Sequence, residues 1–491
     1  MSLKINTLHI PIILFCILLL LSCQKVELKQ PNVIIILTDQ WRASALGYNG
    51  NEDVKTPNLD EFAAQSVNLP NAVSVSPVCT PFRASLLTGK FPTETGMFLN
   101  DLHFPDDETT MAEVLKDEGY QTAFWGKWHL DGHGRKVNVA PKRRQGFEYW
   151  KGAECSHNYN RMIYYENDDP TQKIWTGYSP FAIANDVNDY VKNKRQANKP
   201  QFMFISLATP HFPHHSAPEE YRRLYQGKDF SIDPNVPKNL YDTVRRELAG
   251  YYAHCTATDK AVGDIISQLK EADMYDNSII IFTSDHGEMM GAHGRYPFRK
   301  QLPWNESSNI PFLIHYPAID NNKGKKLYAG ITTPDIMPTL LSFAGVARPE
   351  GIQGEDISDL IKTCDPNADR AAMFMNIHPF DINMKDPEYR AVRNKRFTYV
   401  VGLDGPLMLF DNQSDPFQLN NLVNSATYAQ KQAELHSALQ TQLIDIGDFP
   451  FRDRSFYLDK FNLILNAGGN NIKYNFKPGE QHVVQTPNSQ K

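Results

Sequence analysis

The stretch Asn32-Val33-Ile34-Ile35-Ile36-Leu37-Thr38-Asp39-Gln40, NVIIILTDQ, decides the fold. Val33 to Leu37 form an aliphatic run with no polar break. Such a run reads as a strand buried on both faces, as in a parallel sheet covered by helices. It passes straight into Thr38-Asp39-Gln40, residues suited to chemistry rather than to a core. Three later segments repeat this grammar. Gln121 to Trp125 leads to Gly126-Lys127-Trp128-His129. Phe202 to Leu207 leads to Ala208-Thr209-Pro210-His211. Ser278 to Phe282 leads to Thr283-Ser284-Asp285-His286-Gly287.

Helical patterns lie between the strands. Thr56-Pro57 reads as an N-cap and a first-turn proline ahead of Leu59, Phe62 and Ala63. Thr110 can cap a helix over Met111 to Glu118, and Gly119 stops it. A helix is expected over Phe82 to Thr88. Strands alternating with helices give an α/β fold: a large mixed, mainly parallel sheet sandwiched by helices. Ligands of such sheets bind outside the carboxyl ends of the strands. The polar residues after the four runs should therefore meet at one edge. The pattern changes near Cys364-Asp365-Pro366. Shorter alternating runs follow, Arg396 to Val401 and Leu407 to Phe410, then a helical stretch over roughly Ala426 to Leu443. These predict a smaller C-terminal α+β domain with an antiparallel sheet. The expected division is 32–364 and 365–491, the latter ending in a polar tail from Gly468.

The chain has 491 residues and a formal net charge of −6, which gives no case for nucleic-acid binding. At the N-terminus Lys4 precedes LHIPIILFCILLLLSC. This apolar run is short for a membrane-spanning helix and suits a signal peptide over residues 1–22, with a short linker over 23–31. Its end, Leu20-Leu21-Ser22-Cys23, resembles a bacterial lipobox. That implies cleavage before Cys23, lipidation of its thiol, and an exported protein of the periplasm or outer membrane held to the membrane by lipid. The alternative is a plain secretory signal. Cys79, Cys155, Cys255 and Cys364 remain, far apart and with no CxxC pair, so a zinc or redox motif is not expected. One disulfide among them is compatible with an oxidising compartment.

The predicted edge carries Asp39, Gln40, Asp285 and His286. Oxygen ligands from two separate strands suit a hard divalent cation, calcium or magnesium. Asp39 and Asp285 could instead cap the helices that follow them. The same edge carries Lys127, His129 and His211, with His214, His215 and Lys300 as further neighbours. Cations facing a metal point to an anionic, oxygen-rich group such as sulfate or phosphate, and Arg83 would add to them. Cys79 lies just ahead of the predicted helix, where a helix N-terminus stabilises an anion, a thiolate or another group.

Cys79-x-Pro81-x-Arg83, followed by Leu87-Thr88-Gly89-Lys90, resembles the signature of the type I sulfatases of the alkaline-phosphatase-like superfamily. Other landmarks fall in that family's order. They are Pro31-Asn32, Thr38-Asp39-Gln40, Thr56-Pro57-Asn58-Leu59-Asp60, Gly126-Lys127-Trp128-His129, Pro210-His211, Ser284-Asp285-His286-Gly287-Glu288, Gly291-Ala292-His293-Gly294 and Asp335-Ile336-Met337-Pro338-Thr339-Leu340. The resemblance spans roughly Pro31 to Leu422. It implies that a formylglycine-generating enzyme oxidises Cys79 to Cα-formylglycine (3-oxoalanine) before folding. The hydrated aldehyde would attack sulfur with one hydroxyl and expel sulfate with the other. By the same resemblance Asp39, Gln40, Asp285, His286 and the modified Cys79 hold one calcium ion. Arg83 and Lys127, with His129, stabilise the diol and the sulfate. His211 and Lys300 contact sulfate, and one of them protonates the leaving alcohol. Lys300 is aligned past the intervening Arg295-Tyr296-Pro297-Phe298-Arg299, with Arg299 as the competing choice. Gln40 departs from the commoner second aspartate; its amide still offers an oxygen.

For the substrate, His157 and Asn158 of the loop Cys155 to Asn160, together with His214, are candidates for sugar hydroxyls. Lys142-Arg143-Arg144 could grip a polyanion or form a solvated turn. An exported, lipidated sulfatase resembles polysaccharide-utilisation enzymes, which favours a carbohydrate sulfate. The Asn-, Lys- and Ile-rich composition leans towards a marine source and ulvan. Competing readings are a phosphoester or phosphonate hydrolase of the same superfamily, a non-catalytic glycan-binding lipoprotein, and a cysteine hydrolase.

Overall fold

In the computed structural model, the described residues are 30–379, 386–465 and 472–474. The signal segment, Cys23, and most of the tail from Gly468 lie outside them. A nine-stranded sheet organises the molecule. Its strands are β1 (Asn32–Asp39), β2 (Val67–Asn68), β3 (Gln121–Lys127), β4 (Tyr149–Ala153), β5 (Ile163–Glu166), β6 (Asp169–Ile174), β7 (Gln201–Pro210), β8 (Ser278–Ser284) and β9 (Phe312–His315). Their order is β2-β9-β8-β1-β7-β3-β4-β5-β6. The central run from β8 to β4 is parallel. β9 and β2 on one side, and β5 and β6 on the other, are antiparallel. The expected mainly parallel, mixed sheet is what the chain forms.

The opening stretch explains why. All eight residues of β1 are buried, with β7 and β8 hydrogen-bonded on either side. Val33, Ile35 and Leu37 enter one core; Ile34 and Ile36 enter the other. The period of two thus splits one apolar run between two helical layers. Each buried aliphatic side chain contributes roughly 1.5–3 kcal/mol relative to exposure. One layer holds α1 (Pro57–Ala64), α4 (Ser179–Asn193) and the 31-residue α5 (Tyr241–Glu271). The other holds α2 (Cys79–Thr88), α3 (Met111–Asp117) and α6 (Ile336–Ala344).

Helix starts follow local chemistry. Thr110 and Glu113 form a reciprocal capping box on α3. Thr56 behaves differently from its predicted role. Its hydroxyl accepts from Gly47 N at 2.9 Å and donates to Asp60, tying a loop to α1 instead of capping it. Beyond the large sheet, β10 (Ala372–Asn376), β11 (Tyr389–Arg393), β12 (Phe397–Gly402) and β13 (Gly405–Asp411) form an antiparallel meander. α7 (Ala429–Asp445) packs on it, and Met373, Val392, Tyr399, Leu409 and Leu439 join the same core as α2 and α6. The smaller antiparallel sheet with its helix is as expected. Cys79, Cys155, Cys255 and Cys364 are all free thiols.

Candidate active site

The carboxyl ends of β1, β3, β7 and β8 deliver Asp39, Lys127, His211 and Asp285 to one place, as parallel strands must. Gly126 allows the closest of these approaches. Its φ is 93°, and a Cβ there would lie 1.9 Å from Ser206 O on β7.

Cys79 is the first residue of α2, three residues earlier than the predicted start. Pro81 fits inside this first turn because its position needs no amide donor. Arg83 then lies one turn on, on the same face as Cys79. Thr80 N donates to Asn100 Oδ1 at 3.0 Å, and Thr80 Oγ1 donates to His129 O at 2.8 Å. Cys79 is thereby fixed between two loops, at a helix end that favours an anion.

Around Cys79 Sγ stand His286 Nε2 at 3.4 Å, Lys127 Nζ at 3.4 Å, Lys300 Nζ at 3.7 Å and Asp39 Oδ1 at 3.8 Å. Lys127 also donates to Asp39 Oδ2. Arg83 pairs with Asp285 Oδ2 at 3.0 Å and donates to Ser206 Oγ and Lys127 O, each at 2.7 Å. Burial pushes the Asp39 carboxyl up, but the charges of Lys127 and Arg83 oppose it, and Asp39 is held well below the usual carboxylate range. Burial and Asp39 push the Cys79 thiol up; Lys127, Lys300 and His286 overcome them and hold it well below its ordinary value. The position is built for an anion.

Asp39, Cys79, Asp285 and His286 are all buried, and their ligand atoms lie within 4.8 Å of one another. This cluster is compatible with a divalent metal. His286 Nδ1 bonds Gly287 O at 2.9 Å, which assigns the proton to Nδ1 and leaves the Nε2 lone pair facing the cluster. Gln40 N donates to Asp285 Oδ1 at 3.1 Å, and Gln40 Oε1 is buried with no hydrogen-bond partner among the described residues. A buried orphan oxygen on the residue that follows Asp39 and bonds Asp285 through its backbone fits a cation site.

Lys300 also reaches His211 Nε2 at 3.3 Å and His286 Nε2 at 3.4 Å. Arg299 turns to Asp386 instead, while still lining the cavity. His211 Nδ1 bonds Phe212 O at 2.9 Å, with Tyr159 OH at 3.3 Å. Burial is the largest influence on His211; Asp39 opposes it, Lys300, His157 and Lys127 reinforce it, and the ring stays well below the usual histidine value. For His129, burial disfavours the charged ring, yet Cys155 and the Asp101 hydrogen bond push it up to about 9.

A cavity of about 530 Å³ opens over Cys79. His157 lines it, its ring stacked 4.5 Å from that of His211. Two other sugar-contact candidates do not line it. Asn158 is exposed and outside the lining. His214 is buried behind the wall, its ring 5.3 Å from Phe298 and its Nδ1 bonded to Glu247. In the Lys142-Arg143-Arg144 cluster Lys142 is exposed and the two arginines are engaged within the chain. Arg143 pairs with Asp131, and Arg144 is buried over the Trp150 ring at 5.2 Å. The sequence reading missed Asp101 and Arg135, which bond each other at 2.9 and 2.7 Å and bring Arg135 to the cavity. No pattern in the sequence marks that pair. Ser206 left a signal, as the one hydroxyl in the otherwise apolar run of β7 from Phe202 to Leu207.

Known proteins share this chain's pattern. The family model described as Sulfatase matches residues 31–346, and that described as N-sulphoglucosamine sulphohydrolase, C-terminal, matches 291–445. An ulvan-active sulfatase of Formosa agariphila is 49% identical, covering 99% of this chain and 96% of its own. An endo-4-O-sulfatase of Bacteroides thetaiotaomicron is 30% identical, covering 86% of this chain and 93% of its own. A solved structure concerned with the metabolism of multiple glycosaminoglycans by Bacteroides thetaiotaomicron superposes with a TM-score of 0.76 at 27% identity, over 88% of this chain and 98% of that one. The fold is alkaline-phosphatase-like.

Proposed function

Because the chain belongs to the sulfatase family and is a sulfuric ester hydrolase, we propose that it removes sulfate from oligosaccharides of an algal polysaccharide, ulvan, with Cα-formylglycine at position 79 and a bound calcium ion. The observation that carries the substrate is the ulvan-active relative, similar over nearly the whole chain. The cavity supports an anionic sugar chain. Beyond the buried cluster, Arg135 and Arg299, each paired with a carboxylate, put guanidinium groups in its wall. Tyr296, 64% exposed, offers a flat face to a sugar ring.

Each residue then has a task. Cys79 Sγ marks where the oxygens of the oxidised residue would stand. Asp39, Gln40, Asp285 and His286 would hold calcium, which when bound acidifies the attacking hydroxyl and shares the sulfate's charge. Arg83 keeps Asp285 oriented and favours its charged form, against the burial and the Asp39 charge that push it up. Lys127 and Lys300 each face the reacting position within 4 Å and stabilise charge as it moves. His211 is neutral at rest. A sulfate ester beside it raises its proton affinity, so it can take the proton shared with Lys300 and pass it to the leaving alcohol. His129, held charged by Asp101, adds a cation over the helix end. Its φ of 60° is part of this placement. The leader and Cys23 support an exported, lipid-anchored enzyme matured by a formylglycine-generating enzyme.

The test is free sulfate released by calcium-loaded protein from lyase-generated ulvan oligosaccharides, with Cys79→Ala as blank. Mass spectrometry of the Cys79 peptide should show sulfur exchanged for oxygen and two hydrogens lost. No release by protein carrying confirmed formylglycine removes ulvan and moves the substrate to another sulfated glycan.

A further inference from the structure

One buried carboxylate outside the cluster makes contacts that the reaction does not explain. Glu288 is fully buried and follows His286 by two residues. Its Oε2 accepts from Gln40 Nε2. Its Oε1 accepts from Met290 N at 2.9 Å and Phe298 N at 2.7 Å. All three donor residues are non-glycine residues in the left-handed region, with φ of 64° for Gln40, 46° for Met290 and 79° for Phe298. Such conformations persist when the surroundings over-determine them. Here the same carboxylate takes a hydrogen bond from each.

The chemistry at Gln40 gives this a function. An amide has a donor end and an acceptor end, and its partners decide which way it faces. Glu288 accepts two backbone N–H groups at Oε1 and faces Gln40 with Oε2, and this draws the Nε2 end of the amide. Oε1 is then left buried and unpaired on the residue whose backbone holds Asp285. On the other side, Phe298 packs on Phe212 at 4.8 Å in the cavity wall, and Lys300 follows two residues later.

Resting on the cation reading above, we propose that Glu288 is a positioning residue: it turns the oxygen of Gln40 towards the cation and pins the Phe298 segment that carries Lys300. Partners of this kind typically change metal affinity 10–100-fold when altered.

The test is calcium affinity by isothermal titration of the chelator-stripped full-length protein. The variants are Glu288→Gln, Gln40→Glu, and the two together. In Glu288→Gln an amide donor faces Gln40 and turns it over, so calcium binding should weaken at least about tenfold. The exchanged pair restores every hydrogen bond with the same total charge: the carboxylate now at position 40 accepts from the amide now at position 288, whose oxygen still takes the two backbone amides. Its affinity should return to within about threefold of wild type, well above the value expected if the two single effects simply combined. Unchanged affinity in Glu288→Gln, or a pair that only combines the single effects, overturns the proposal and leaves the cation reading intact. No calcium uptake by wild type overturns both. If Glu288→Gln does not fold, the exchanged pair decides: recovered binding supports the proposal, and failure to recover overturns it.

Discussion

Lys300 and Arg299 are neighbours in sequence with different work. Lys300 Nζ lies within 3.7 Å of Cys79, His211 and His286, whereas Arg299 spends its guanidinium on Asp386. On the proposed mechanism Lys300→Ala should therefore lower kcat about 100-fold or more, since it would remove a charge used as the transition state forms. Arg299→Ala should chiefly raise KM, because its place is the cavity wall. Steady-state sulfate release separates them, and the opposite pattern would make Arg299 the sulfate contact. At this scale the sequence was informative wherever a residue follows a buried strand. Asp39, Lys127, His211 and Asp285 could be placed together because strand ends fix them. It was least informative where a loop residue works through a partner remote in sequence. Asp101 holds both His129 and Arg135, at positions 28 and 34 residues away, and neither spacing is a pattern. His214 stands apart for the converse reason. Its neighbour His211 reaches the cavity, but the ring of His214 turns into the core.

The element least legible in advance is α5. Its 31 residues bury His254, Thr256, Thr258 and Asp259 among the aliphatics, which interrupts the apolar stripe that marks a helix. The start of α2 was placed late for a related reason, since Pro81 reads as a breaker although it stands in the first turn. Within α5, His254 bonds Tyr178 OH at 2.7 Å through Nδ1 and Ser216 Oγ at 3.2 Å through Nε2. Burial, then His214 and His215, push it down to about 3, with the Pro213 carbonyl opposing. The folded ring thus stays neutral between about pH 6.5 and 3, while the unfolded chain takes up a proton near 6.5. Below pH 6.5 the unfolded state binds more protons, so stability present at neutral pH is lost as pH falls, by up to about 1.4 kcal/mol per unit. His254→Gln keeps a polar partner and removes the titration. It should be less stable than wild type at pH 7 but lose about 1–2 kcal/mol less between pH 7 and 5. Denaturant unfolding at the two pH values measures this, and equal losses would clear His254 of the acid sensitivity.

For the whole molecule, the parallel sheet is what made a single site foreseeable, because strands that all point one way bring their carboxyl ends together. The order of those strands, and the antiparallel edges, depend on long-range pairing between runs of similar composition and could not be read from any one of them. The resulting site gathers Asp39 and Asp285 from the sheet with Arg83 and Lys127 in place, so the carboxylates have charged partners before any cation arrives. The fold should therefore survive chelation, and calcium should add to its stability by mass action. At 100 times its dissociation constant the gain is about 2.7 kcal/mol. Thermal unfolding of the chelated protein should move up by a few degrees as calcium is titrated in, and back on renewed chelation. Asp285→Asn should abolish the rise while leaving a folded chain, less stable because Arg83 loses the nearer of its two carboxylate partners. A wild-type unfolding temperature indifferent to calcium would remove the cation from the site. A rise that persists in Asp285→Asn would place the binding elsewhere on the molecule.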